Sequence, residues 1–285
     1  IFYILLNYTE KMMFFLKIIS ILPLSLVYII SDAVFILLYY FLSIFKLYRE
    51  NIVSKNLKTC FSSKNKKWIN SIKKKFYINL IDTLLEIIKL KNLNENELIK
   101  RVQIINPEVI KKEIKSNKSI IILSAHYNNW EWLFGRISIL LKRNLYAPYK
   151  PLSNKKVDRM LIKIRERFGG KVIQMSKFYR FILKNKSKNY TYFLLNDQVP
   201  IKTQKNVKYS FLGKKTSFNK GVERLQNEKI PIFYAKLNKI KRGYYSVEFY
   251  KINANDVTFD YVKKLERTIN ERPEYWLWSH NRWKR

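Results

Sequence analysis

Apolar and polar positions divide the 285-residue chain into two unequal parts. Between residues 14 and 45 the only charged side chains are Lys17 and Asp32, and two apolar blocks cover residues 18–30 and 33–45. Each block is shorter than the roughly 20 residues that a helix needs to cross the hydrocarbon of a bilayer. Together they predict either one tilted membrane span or a helical hairpin in the membrane interface, with a buried helical pair of a soluble core as the alternative.

Basic residues follow densely after residue 45, and the positive-inside rule places such a flank on the cytoplasmic side of a membrane. We therefore expect residues 1–45 to form a membrane-associated anchor and residues 46–285 to form the main domain.

The main domain alternates between two kinds of pattern. The continuous apolar run at 119–124 is typical of a strand buried on both faces, whereas 66–92 and 154–168 repeat apolar residues at helical spacing. Strands are predicted at 119–124, 145–149, 171–174, 190–195, 230–237 and 244–252. Helices are predicted at 66–92, 94–102, 128–141, 154–168, 177–184, 221–227 and 257–272. This alternation predicts an α/β fold with a mainly parallel central sheet flanked by helices, with 244–252 as an antiparallel strand.

Composition narrows the functional classes. The chain has 56 basic and 21 acidic residues, a net charge of +35, which attracts nucleic acid, anionic lipid or an acidic protein. The hydrophobic share of 47% excludes a disordered chain. A single cysteine, Cys60, excludes a disulfide scaffold, and two histidines, His126 and His280, leave little for a metal centre. We therefore expect no metal and no cofactor.

The main candidate for chemistry is His126 with Glu131. His126 follows the buried strand directly, at the carboxyl end where α/β sheets place their ligands. If His126 lies in the turn before the next helix, the Glu131 carboxylate can accept a hydrogen bond from one imidazole nitrogen while the other nitrogen takes a proton. The spacing alone is a weak signal, because a polar loop histidine beside a helix start gives the same pattern.

Further sequence blocks follow this pair in a fixed order along nearly the whole chain. They are Tyr149-Lys150-Pro151, Arg165 and Arg167 before Gly169-Gly170, Asp197-Gln198-Val199-Pro200, Phe211-Leu212-Gly213, and the ending Pro273-Glu274-Tyr275-Trp276-Leu277-Trp278. Together with His-x4-Glu they resemble the bacterial lipid A biosynthesis (lauroyl/myristoyl) late acyltransferases, within the lysophospholipid and glycerolipid acyltransferase superfamily. Lys150 stands where this family usually has Arg. A guanidinium that can donate two parallel hydrogen bonds is therefore replaced by an ammonium, which acts as a point charge.

The resemblance implies a reaction and a location. A fatty acyl group would move from acyl carrier protein to a hydroxyl of a lipid A precursor, an anionic glycolipid, on the cytoplasmic face of the bacterial inner membrane. His126 would be the general base and Glu131 its orienting group, with Arg165, Arg167 or a backbone N–H as candidates to hold the oxyanion. The implied substrate-binding residues are Tyr149, Lys150, Pro151, Arg165, Arg167, Asp197, Gln198 and Gly213. For the basic residues between 150 and 167 a solvated basic face is the alternative, and for Asp197, Gln198 and Gly213 it is an ordinary turn.

Two other functions compete with this one. The same fold and chemistry would serve a lysophospholipid or another lyso-lipid. A membrane-tethered nucleic-acid-binding protein would use the positive charge differently, but no aromatic–basic RNA-binding module is visible and the ordered blocks would go unexplained. We therefore expect acyl carrier protein, an anionic lipid and the membrane as partners, and no nucleic acid.

Overall fold

A computed structural model describes residues 10–41, 48–115, 119–142, 144–200, 206–226, 230–253 and 255–283. The helices are α1 (Glu10–Ile21), α2 (Leu24–Ile36), α3 (Glu50–Cys60), α4 (Lys66–Lys89), α5 (Glu95–Arg101), α6 (Glu108–Lys115), α7 (Trp130–Leu141), α8 (Lys155–Glu166), α9 (Met175–Lys184), α10 (Gly221–Gln226) and α11 (Val257–Glu271). The strands are β1 (Val102–Ile104), β2 (Ile120–Ser124), β3 (Leu145–Tyr149), β4 (Gly170–Gln174), β5 (Thr191–Leu195), β6 (Asn206–Phe211), β7 (Lys214–Asn219), β8 (Ile232–Lys241) and β9 (Tyr244–Ile252).

Seven strands form the central sheet in the order β1-β9-β8-β2-β5-β3-β4. Every neighbouring pair runs parallel except β8 and β9, which are antiparallel. The prediction of a mainly parallel sheet flanked by helices is therefore confirmed. All five residues of β2 are buried, as expected for a strand that has a neighbour on each side and helices on both faces.

Side-chain caps fix where several helices begin. Asn65, Asn94, Asn129, Asn154 and Asp256 each accept a hydrogen bond from a backbone N–H of the first turn of their helix. Such caps satisfy N–H groups that have no partner within the helix, and each is worth about 1 kcal/mol. They explain why the predicted helices begin within two residues of their observed starts.

A short hairpin of β6 and β7 lies outside the central sheet, and the apolar pattern did not predict it. Its strands bury only Phe211, Thr216 and Phe218 and carry several lysines, so they lack a continuous buried apolar run. Leu212 and Gly213 form the two-residue turn, with φ of 51° and 74°. Positive φ at both positions is typical of the turn that joins tight hairpins, so Gly213 serves a turn.

The N-terminal helices α1 and α2 pack against the main body. Leu16, Ile19, Leu24 and Val27 are buried in one apolar cluster that also contains Ile87 of α4. The outer faces of both helices are apolar and exposed, with Phe14, Phe15, Ile18, Ile21, Leu26 and Ile29 on the surface. Within the described part of the chain, no helix has both the length and the apolar character that crossing a bilayer requires. A division of the chain at residue 45 stays a prediction.

A buried carboxylate joins these helices to the start of α7. Glu86 of α4 is fully buried and accepts hydrogen bonds from the Tyr28 hydroxyl (2.7 Å), the Asn129 amide (2.8 Å) and the Tyr245 hydroxyl (2.7 Å). Burial raises the pKa of Glu86, while Lys239 and the three donors act in the opposite direction. One side chain therefore connects α2, α4, β9 and the residue that caps α7.

We predict that Glu86→Leu destabilises the protein strongly, because three buried donors lose their acceptor at about 1–3 kcal/mol each. Glu86→Gln should cost far less, since its carbonyl keeps two donors and the Tyr28 hydroxyl can turn to accept from the new amide. Urea unfolding of the full chain measures both variants. Equal losses of unfolding free energy in the two variants would contradict the role of Glu86 as the shared acceptor of these three hydrogen bonds.

Candidate active site

His126 and Asp197 stand side by side at the carboxyl end of the sheet. Strands β2 and β5 are parallel neighbours, and their register pairs Ser124 with Leu195. His126 lies two residues beyond Ser124, and Asp197 lies two residues beyond Leu195. Equal offsets from a paired position bring the two side chains together, although they are 71 residues apart in sequence.

The Asp197 carboxylate is buried and bound by three donors. Its Oδ1 is 2.7 Å from Nδ1 of His126, and its Oδ2 accepts from the His126 backbone N–H (3.1 Å) and from Nε1 of Trp276 (2.9 Å). Burial alone raises the pKa of Asp197, but the charge of His126 and these hydrogen bonds outweigh it and lower the pKa to about 2. Asp197 is therefore a carboxylate at neutral pH, and it fixes the orientation of the imidazole.

The other imidazole nitrogen of His126, Nε2, lies beside Gln198. Nε2 lies 3.2 Å from Nε2 of Gln198, and 19% of the His126 side chain remains accessible. The ring of Trp130 meets the imidazole edge-on at a centroid distance of 5.0 Å. With Nδ1 bound to a carboxylate and the side chain partly exposed, His126 has the arrangement of a general base.

The structure pairs the Glu131 carboxylate with Arg165 and not with the His126 imidazole, contrary to our expectation of a direct hydrogen bond. Its carboxylate accepts three hydrogen bonds from Arg165, with Nε at 3.1 and 2.9 Å and the terminal nitrogen at 2.6 Å. Glu131 is the second residue of α7. The turn of the helix directs its side chain away from the loop that precedes the helix. Arg165 of α8 supplies a charge and a planar donor set that match the carboxylate better than a single imidazole nitrogen does.

Glu131 still reaches His126 indirectly. Its Oε1 accepts a hydrogen bond from Nε1 of Trp130 at 3.2 Å, and the Trp130 ring packs against the imidazole. Burial lowers the pKa of Arg165, but the neighbouring Glu131 raises it more, so Arg165 stays charged. The pair therefore holds the Trp130 ring in place beside His126.

The loop from β2 to α7 is fastened by the C-terminal segment, a contact that the sequence did not predict. The His126 carbonyl accepts from the Leu277 N–H at 3.0 Å, and the Asn128 N–H donates to the Tyr275 carbonyl at 3.0 Å. Asn128 has φ of 53°, a left-handed conformation that Asn tolerates better than most residues. Trp276 and Trp278 are buried, and Trp276 pairs with Tyr127 in a β-bridge, so the aromatic block of the ending packs against the loop from β2 to α7.

Other predicted substrate-binding residues lie at various distances from this centre. Tyr149 ends β3 at the same edge of the sheet, and the exposed Lys150 and Pro151 follow it. Arg167 donates to the Leu93 carbonyl and does not face His126, whereas Gln198 does. Their contacts with substrate stay predictions. Among the residues that the structure describes, no three His, Cys, Asp or Glu side chains are grouped to hold a metal ion.

Comparison with known families gives a match that spans almost the whole chain. A family model described as bacterial lipid A biosynthesis acyltransferase matches residues 6–285, almost the whole chain. No curated protein matches the sequence.

The buried pair Glu131–Arg165 leads to a stability prediction. Arg165→Met removes the cation beside the buried Glu131 carboxylate, and Glu131→Gln removes the anion beside the largely buried Arg165 guanidinium, so each should cost about 3–5 kcal/mol of unfolding free energy. The double variant should cost clearly less than the sum, because it removes both charges together. Urea unfolding of the four proteins gives the coupling energy, and additive losses would contradict a direct pair.

Proposed function

We propose a specific reaction for this chain, which belongs to the bacterial lipid A biosynthesis acyltransferase family: it transfers a fatty acyl group from an acyl carrier protein thioester to a hydroxyl of a lipid A precursor. Family membership makes the chain an acyltransferase with a lipid acceptor. The observation that carries the proposed mechanism is the hydrogen bond between Asp197 and Nδ1 of His126.

In this mechanism His126 acts as the base and Asp197 orients it. Nε2 takes the proton from the acceptor hydroxyl while that oxygen attacks the thioester carbonyl carbon. Asp197 stabilises the imidazolium that forms and keeps the proton of the neutral ring on Nδ1. When the carbon–sulfur bond breaks, the imidazolium returns its proton to the leaving thiolate, which restores the base and releases the carrier thiol.

Gln198 is our candidate for holding the charge on the carbonyl oxygen. Its amide lies 3.2 Å from Nε2 of His126, on the side where the acceptor hydroxyl must arrive. An incoming hydroxyl would replace the amide at Nε2, and the freed N–H groups would then donate to the oxyanion. Arg165 is a poorer candidate because its guanidinium already forms an ion pair with Glu131.

Glu131 is a positioning residue in this proposal. It acts on His126 through the Trp130 ring and through the start of α7, both of which it fixes by its contacts with Trp130 and Arg165. In this proposal the His-x4-Glu spacing marks a general base, His126, and a residue, Glu131, that holds the groups around the base in place.

We further propose that the exposed apolar faces of α1 and α2 place the chain at the cytoplasmic surface of the inner membrane. Contiguous exposed apolar side chains are typical of membrane or protein contacts, and a lipid acceptor is embedded in a membrane. Surface attraction between the positive chain and anionic lipid would add to this contact.

We predict that His126→Ala abolishes acyl transfer and that Asp197→Asn lowers kcat by about 10²–10⁴-fold, because the ring loses the partner that sets its tautomer. Glu131→Gln should lower kcat less, since the amide still accepts from Trp130. The assay follows labelled acyl carrier protein and lipid A precursor with purified full chain in detergent. A larger kcat loss for Glu131→Gln than for Asp197→Asn would contradict the assigned roles.

The same assay decides the acceptor. Lysophospholipid and other lyso-lipids run in parallel with the lipid A precursor, and products are identified by mass spectrometry. Faster transfer to a lyso-lipid would replace the proposed acceptor but leave the roles of His126 and Asp197 intact.

A second prediction concerns membrane contact. The double variant Ile18→Ser/Ile29→Ser should reduce sedimentation with membranes, because each exposed side chain contributes about 1 kcal/mol when it enters the interface. The double variant Ile99→Ser/Ile105→Ser is a matched control on other helices and loops, with similar exposure. Equal effects of the two double variants would count against the α1–α2 face.

A further inference from the structure

A groove of about 810 Å³ lies between α1, the end of α4 and α8. Its floor is apolar and consists of Leu16, Ile88, Met160 and Ile164. Three of these four side chains are themselves buried, so the floor is a continuation of the protein core. An apolar floor of this kind suits a hydrocarbon chain better than it suits a polar ligand.

The rim of the groove is strongly basic. Six cationic side chains line it, and none of the described residues around it is acidic: Lys17, Lys91, Lys156, Arg159, Lys163 and Arg167. Arg167 also donates to the Leu93 carbonyl, which fixes the direction of its guanidinium. The rim therefore offers several donors and a concentrated positive charge to an anionic group such as a phosphate.

The groove is separated from the catalytic centre by the body of α8. Lys156, Lys163 and Arg167 follow one another at intervals of seven and four residues, which places them on one face. Arg165 is nine residues from Lys156, a rotation of about 180° from it, and points inward to Glu131. The same helix thus supports the active site with one face and lines the groove with the other.

The groove also adjoins the apolar surface of α1. Leu16 and Lys17 line it, while Phe14, Phe15 and Ile18 are exposed on the same helix. A molecule in the groove would therefore have its polar end against the cations and its apolar part beside side chains that we place at the membrane interface. An acidic protein would match the cations but would not cover the apolar floor.

We propose that this groove binds one anionic membrane phospholipid, with its phosphate on the cationic rim and an acyl chain along the apolar floor. The site is separate from the acceptor site at His126 and needs no acyl transfer. It shares with the proposed function the contact of α1 and α2 with a membrane. Its role is to hold the chain on anionic bilayers in a defined orientation.

The test compares two charge-matched double variants of the full chain. Arg159→Glu/Lys163→Glu changes the exposed rim, and Lys111→Glu/Lys112→Glu on α6 lowers the net charge equally at an exposed surface elsewhere. Sedimentation is measured with vesicles of phosphatidylcholine alone and of phosphatidylcholine mixed with phosphatidylglycerol. We expect the groove variant to lose roughly tenfold to thirtyfold in affinity for the mixed vesicles, and the control to lose much less.

Further arms separate the lipid from other anions. Met160→Gln leaves the charge unchanged and should also weaken binding to mixed vesicles, because it places an amide on the apolar floor. Inorganic phosphate alone, measured by its effect on thermal unfolding, should not stabilise the wild type more than it stabilises the groove variant. If the acidic variant does not fold, Arg159→Gln/Lys163→Gln with Lys111→Gln/Lys112→Gln as control replaces it.

Three results would overturn the proposal. Equal losses in the groove and control variants would show that only net charge matters. Specific stabilisation of the wild type by inorganic phosphate, with no effect of Met160→Gln on vesicle binding, would assign the rim to a free anion. Loss of acyl carrier protein binding with vesicle binding retained would assign it to the acidic protein. Because vesicle binding is measured without acyl donor, none of these results depends on catalysis.

Discussion

The burial of the Asp197 carboxylate is the constraint on which the end of the sheet depends. An ionised carboxylate without partners is very costly in a protein interior, so the fold must bring donors to it. The three donors belong to two residues: the ring and the backbone N–H of His126 after β2, and the indole of Trp276 in the C-terminal segment. Satisfying one charge therefore fixes the register of β2 with β5, the loop that follows β2 and the path of the C-terminal segment.

Two further buried carboxylates fix the same loop from other sides. Glu131 ties the start of α7 to α8 through Arg165, and Glu86 ties the cap residue Asn129 to α2, α4 and β9. Each of these acids bonds to elements that are distant in sequence. The residues from β2 to α7 are thereby held in place before any substrate binds, which is the condition for a base to act without reorganising.

Local patterns predicted most elements of the main domain but missed α3, α6, β1 and the β6–β7 hairpin, and they predicted the contacts between elements poorly. The apolar run of β2 and the histidine after it were visible because both signals lie within a few residues. Asp197 was visible as part of a sequence block, but its bond to His126 depends on β5 lying beside β2, for which a separation of 71 residues gives no periodic signal. Glu131 was assigned to His126 because spacing reports proximity along the chain and not the direction in which a helix turns. Arg165, 34 residues further on, is the partner that spacing could not show.

Part of the net charge of +35 lies on the two faces of α8, where the cations have different roles. Its inner face carries Arg165, whose charge is neutralised by Glu131 in the interior, where an unpaired cation would be costly. Its outer face carries Lys156, Lys163 and Arg167, which remain at the surface, where charge acts over about a Debye length on anionic lipid or an acidic protein. In the proposed reaction the thioester and the hydroxyl are uncharged, and only the oxyanion that forms needs donors, which must be directed at one atom. The outer face of α8 thus carries cations that attract anionic partners, and its inner face carries a cation that is paired with Glu131. One helix therefore contributes surface attraction and supports the active site.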